Sequence, residues 1–203
     1  MKVLFVGNSF TARNDVPGLI ARLAAARGET FEHTLISAGG ASLRMHWNKG
    51  AALAAMRATR YDYVVLQEQS TLPVKNATRT KENIRLFDEE IRASGATMAL
   101  YMTWAREHVP ETQQAITDAY TSIGAELGAL VIPVGIAWRD FLAEHDQPVL
   151  HDKDKSHPTL AGSYLAACVF FATLFGQSPV GIEIPVKGLT SEDARRLQAA
   201  AAL

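Results

Sequence analysis

The chain has 203 residues, 48% apolar and 20% charged, which is enough for one domain with a sizeable core and argues against general disorder. Twenty Lys and Arg against 21 Asp and Glu leave a net charge of -1 with no basic stripe, so a nucleic-acid partner is not expected. The single cysteine, Cys168, excludes an internal disulfide and a Cys-rich zinc site, which suits a reducing, cytoplasmic setting.

Short β-rich runs alternate with longer helical ones. A strand is expected over residues 2–6, beginning at once after Lys2 with no room for a signal-peptide core, and a helix over 16–27 that Gly28 stops. Further strands are expected over 31–36, 63–66, 97–102 and 129–134, with helices over 41–59, 77–93 and 111–127 between them. A helix over 158–175, with Pro158 in its first turn, follows the last strand. Its apolar part is too short to span a bilayer, so no membrane partner is expected. Residues 177–185 read as a surface excursion before a short final helix from Ser191. Strands nearly continuous in apolar residues indicate a sheet covered by helices on both faces. The expected fold is a single-domain, three-layer α/β/α sandwich around a five-stranded parallel sheet of order 2-1-3-4-5.

In such sheets ligands bind outside the carboxyl ends of the strands, so the polar residues just after each strand carry the functional reading. After the first strand, Gly7-Asn8-Ser9-Phe10-Thr11 sets the Ser9 hydroxyl at the mouth of the sheet, where it can act as a nucleophile or cap the next helix. Near the other end runs His151-Asp152-Lys153-Asp154-Lys155-Ser156-His157-Pro158. With Asp154 and His157 three residues apart, the carboxylate can hold one ring nitrogen and leave the other free to take a proton from a serine. The same stretch also reads as a solvated charge run with His157 as a cap. Its spacing matches no zinc motif, so no metal is expected.

An activated serine needs donors for the oxyanion. The second strand leads into Ser37-Ala38-Gly39-Gly40, where a glycine lets a backbone N–H approach a substrate. The third ends in Gln67-Glu68-Gln69-Ser70, where alternation puts both glutamines on one side and Glu68 on the other. Trp47 and Trp104 are candidates for a substrate wall or for ordinary packing, and Leu160, Tyr164, Cys168, Phe171 and Phe175 form a core stripe.

Together these blocks, spanning residues 6–176, resemble the SGNH (GDSL-like) hydrolase superfamily, and the first two resemble a bacterial subgroup whose nucleophile block reads Gly-Asn-Ser-Phe. The resemblance implies that Ser9 is the nucleophile and lends its own N–H to the oxyanion hole, that Gly40 supplies a second N–H, and that Asp154 and His157 complete a triad. The superfamily commonly has Gly-x-Asn-Asp as its third block, which places Gln69 in register with the asparagine, and Asn8 stands where many relatives have aspartate. The activity implied is hydrolysis of a small acyl ester, such as acetate on a carbohydrate, without a cofactor, with Asn8, Trp47, Gln67 and Trp104 as candidate substrate contacts. Two other readings stay open here: a phosphate or nucleotide site at the 7–11 turn, which lacks the usual glycine-rich signatures, and a non-catalytic carbohydrate-binding relative.

Overall fold

The first strand, β1 (Lys2–Gly7), is apolar on both faces, and its residues Val3 to Val6 are at most 1% exposed. It lies inside a parallel sheet with the edge strand β2 (Glu32–Ser37) on one side and β3 (Tyr63–Leu66) on the other, followed by β4 (Thr97–Tyr101) and β5 (Leu130–Ile132). The computed structural model describes residues 1–202. The strand order, β2-β1-β3-β4-β5, is the one expected from the sequence.

Side chains alternate across the sheet and divide the core in two. Val3, Phe5, Val65, Ala99 and Tyr101 meet α2 (Val16–Ala26), α8 (Val134–Glu144), α9 (Leu160–Phe175) and α10 (Ser191–Ala201). Leu4, Val6, Val64, Leu66 and Leu100 meet α3 (Leu43–Lys49), α4 (Ala51–Ala58), α6 (Ala77–Ser94) and α7 (Gln113–Leu127). The helix α9 is apolar nearly all round because α2, α8 and α10 cover it as well as the sheet. Each of its fully buried large side chains, such as Phe170 and Phe171, contributes about 1.5–3 kcal/mol of hydrophobic stabilisation.

The structure corrects the expected elements at four places. The helix expected over 41–59 is two, because Gly50 takes a φ of +73° that an ordinary helical residue avoids. The chain also forms a helix, α8, where none was expected: Pro133 cannot donate to the strand ladder, so β5 stops before it and the helix begins. Two single turns, α1 (Ser9–Ala12) and α5 (Leu72–Lys75), follow β1 and β3. Finally, α9 begins at Leu160 behind the N-cap Thr159, while Pro158 pairs with His151 in an antiparallel bridge. No helix among the described residues is long and apolar enough to cross a membrane.

Candidate active site

The site sits where β1 and β3 end side by side. Asn8 caps α1, its side-chain oxygen accepting from Phe10 N–H, while its own N–H donates to Gln67 Oε1 at 2.9 Å. Thr11 Oγ1 donates to that same oxygen at 3.0 Å. Gln67 is fully buried and packs so tightly under the turn that a Cβ on Gly7 would lie 2.7 Å from Oε1. Any larger residue there would displace the Gln67 amide and the Thr11 hydroxyl. These contacts fix Ser9 in the first turn of α1, with its hydroxyl half-buried and its N–H without an acceptor among the described residues.

Ser9 Oγ lies 2.8 Å from His157 Nε2, and His157 Nδ1 lies 2.5 Å from Asp154 Oδ2. The second Asp154 oxygen accepts from the backbone N–H groups of Ser156 and His157 at 3.0 and 2.9 Å. The hydrogen bond from the His157 ring, reinforced by these two, holds the Asp154 carboxyl well below the usual carboxylate range. Asp154 thus stays ionised, fixes the imidazole tautomer with its proton on Nδ1, and leaves Nε2 free to accept from serine.

This loop is a clasp. Asp152 N–H donates to His157 C=O and Thr159 N–H to Leu150 C=O, both at 2.8 Å, folding residues 150–159 back on themselves. Trp104 Nε1 donates to Ser156 C=O at 3.0 Å, His151 Nε2 donates to Ala105 C=O at 3.0 Å, and Arg13 pairs with Asp152 at 3.0 Å. The clasp is thereby tied to the segment after β4 and to the segment after α1. Phe10 stacks on Trp104 with ring centroids 4.8 Å apart and also touches the His157 ring, and Trp104 in turn stacks on Trp138 at 4.0 Å.

Beside Asn8, whose Nδ2 donates to Ala41 C=O at 3.1 Å, Ala41 N–H donates to Ala38 C=O and closes a turn in which Gly40 has a φ of +65°. The Gly40 N–H has no acceptor among the described residues. Gln69 Oε1 accepts from Thr71 N–H, Thr71 Oγ1 and Leu72 N–H at 2.9–3.0 Å. Two of those donors are backbone amides, so the amide orientation is fixed by the network and the Gln69 NH₂ is left over.

Sequence reasoning missed two residues behind this wall. Glu68 is fully buried and accepts from Leu43 N–H at 3.0 Å, Gln69 N–H at 2.6 Å and Asn83 Nδ2 at 2.7 Å, joining the loops after β2 and β3 to α6. Burial raises its pKa. The signal that could have found it is Asn83, a polar residue in the apolar stripe of α6 formed by Thr80, Ile84, Phe87 and Ile91. The second is His46, 3% exposed, whose Nε2 donates to Gly7 C=O at 2.7 Å and whose pKa burial lowers, keeping the ring neutral. Of the four expected substrate contacts, two are spent on the protein's own turn. Asn8 and Gln67 are buried struts of the Ser9 turn, Trp104 is 2% exposed inside the aromatic stack, and Trp47 packs edge-on against Phe87.

No protein-family model matches the chain, and no curated protein matches it. Solved structures do. A DUF4886 family protein from Bacteroides uniformis superposes with a TM-score of 0.88 at 21% identity, covering 100% of this chain and 93% of that one. A candidate SGNH hydrolase from Slackia heliotrinireducens is 28% identical with a TM-score of 0.75, covering 86% of this chain and 98% of that one. A variant of an acetyl-xylooligosaccharide esterase from a Geobacillus species has a TM-score of 0.68 at 15% identity, covering 85% and 93%.

Proposed function

We propose that the chain, whose fold is that of the SGNH hydrolases, is an ester hydrolase working through a Ser9–His157–Asp154 triad. The observation that carries this reading is the unbroken run of hydrogen bonds from Ser9 Oγ through the His157 ring to Asp154, at the mouth of the sheet. Ser9 Oγ attacks the ester carbonyl carbon as its proton passes to His157 Nε2, and the ionised Asp154 stabilises the imidazolium. The carbonyl oxygen takes the negative charge, held by the free N–H groups of Ser9 and Gly40 and by the Gln69 NH₂. The intermediate collapses, His157 returns the proton to the departing alcohol, and the acyl group stays on Ser9. Water, deprotonated by the neutral His157, then releases the carboxylic acid and restores the serine.

The acyl group we assign is small. Acetate on a carbohydrate, the substrate class that the Geobacillus neighbour's name gives for that protein, is the first to test. The decisive experiment combines a chromogenic acetyl ester with a serine-directed phosphonate. Wild type should hydrolyse the ester and be labelled once, at Ser9, and Ser9→Ala should do neither. Labelling at another residue, or hydrolysis that survives Ser9→Ala, overturns the assignment.

A further inference from the structure

A cavity of about 270 Å³ lies between the segment after β3 and the segment after β4. Its wall includes Ser70, next in sequence to Gln69, and Trp104, which holds the triad clasp through Ser156. The cavity therefore adjoins both the candidate oxyanion donor and the support of the base. Val74 and Ile116 supply apolar surface, while Lys75, Arg106 and His108 supply basic groups, and no lining residue is acidic.

Arg106 has no evident structural duty. No nitrogen of its guanidinium has a hydrogen-bond or ion-pair partner among the described residues, and with Nε shut off from solvent it is the terminal NH groups that are left to meet a ligand. Glu107, its neighbour in sequence, lies 3.9 Å from Lys155. Arg106 also borders a second cavity of about 270 Å³, but that one contains Glu107 and so disfavours an anion. A guanidinium left unpaired at the edge of an apolar slot, with a lysine on the same wall, has the chemistry of a carboxylate receptor.

We propose that this cavity binds a carboxylate carried on one arm of the ester substrate, with Arg106 forming the ion pair and Lys75 strengthening the field. Turnover of such a substrate rests on the esterase reading, whereas its binding does not.

Two matched probe pairs locate the charge: 4-acetoxybenzoate with its methyl ester for the alcohol arm, and 4-nitrophenyl hydrogen succinate with its methyl ester for the acyl arm. Wild type should favour the charged member of at least one pair by about tenfold or more in kcat/KM. Arg106→Gln should bring that ratio close to one. Lys75→Gln, an exposed change that leaves the core untouched, should lower it by a smaller factor and serves if Arg106→Gln does not fold. A titration with 4-acetamidobenzoate, an amide analogue, reads binding without turnover and should weaken in both variants. Ratios near one in both pairs for wild type, or a preference unchanged by both substitutions, overturn the anion site and leave the esterase reading standing. Absence of turnover with any ester, alongside analogue binding that both substitutions weaken, overturns the esterase reading and supports the anion site.

Discussion

On the proposed mechanism, Ser9, His157 and Asp154 divide the work of proton transfer by their surroundings. The His157 ring and two backbone N–H groups hold the Asp154 carboxyl below its ordinary range, so its contribution to the fold is present above the ordinary value of 3.8 and is lost only as pH falls through the lower folded value. Asp154 is therefore ionised throughout the neutral range. The acid limb of kcat/KM should follow the loss of one proton, with a limiting slope of about one in a logarithmic plot, because only neutral His157 can act as base. A slope near two would mean that Asp154 titrates with it. His157→Ala should lower kcat by about 10²–10⁴-fold. At Gln69 the informative change is to glutamate, which keeps an oxygen for Thr71 and Leu72 but removes the NH₂ donor. Gln69→Glu should cost about 10²–10³ in kcat with little change in KM, since the oxyanion charge exists only in the transition state. A near-normal kcat leaves Ser9 and Gly40 as the only donors. Ser9, Asp154 and His157 were readable because each sits in a short polar turn between apolar runs. The two glutamines were not, since alternation gives the side on which a residue lies but not how much of its amide is spent on the protein's own backbone, all of it at Gln67 and only the oxygen at Gln69.

The elements around the site are joined by a buried carboxylate rather than by apolar packing alone. Glu68 ties the N-terminus of α3 and the turn after β3 to α6, and burial raises its pKa above the ordinary value of 4.5. The folded state thus binds this proton more tightly than the unfolded chain, so stability from Glu68 is full below pH 4.5 and declines as pH rises through the folded value. Glu68→Gln has no such proton. The melting temperature of wild type relative to Glu68→Gln should fall as pH rises from 4.5 upward, and a flat difference would show that Glu68 does not titrate there. The strands and long helices were legible because apolar periodicity and terminal glycines mark them. The helix α8 was not, because its opening residues, Val134-Gly135-Ile136, continue the β-branched run of β5 and include a weak helix former. The break between α3 and α4 was hidden as well, since a single glycine just ahead of an alanine-rich stretch reads as a tolerated interior residue until its φ is known.

Across the whole molecule, the two cores on either side of the sheet are closed by long-range contacts, and the thiol of Cys168 lies in the middle of one of them. It is fully buried, and desolvation raises its pKa far above that of a free thiol. A disulfide reagent should therefore leave the native protein unmodified and react once on unfolding, with a midpoint in urea that coincides with the loss of helical circular dichroism. Reaction at lower urea would show that α9 loosens before the sheet. The hydrogen bond from Ser9 to His157 joins residues 148 apart in sequence. During synthesis the serine emerges well before His157, on a β1 strand that has neither its neighbour β3 nor the clasp that brings the imidazole, and at that stage it is an ordinary hydroxyl. On the proposed mechanism, a ribosome-bound chain stalled before residue 157 clears the exit tunnel is chemically silent. Turnover first appears when the clasp docks, which makes ester hydrolysis a built-in timer for co-translational closure of the fold.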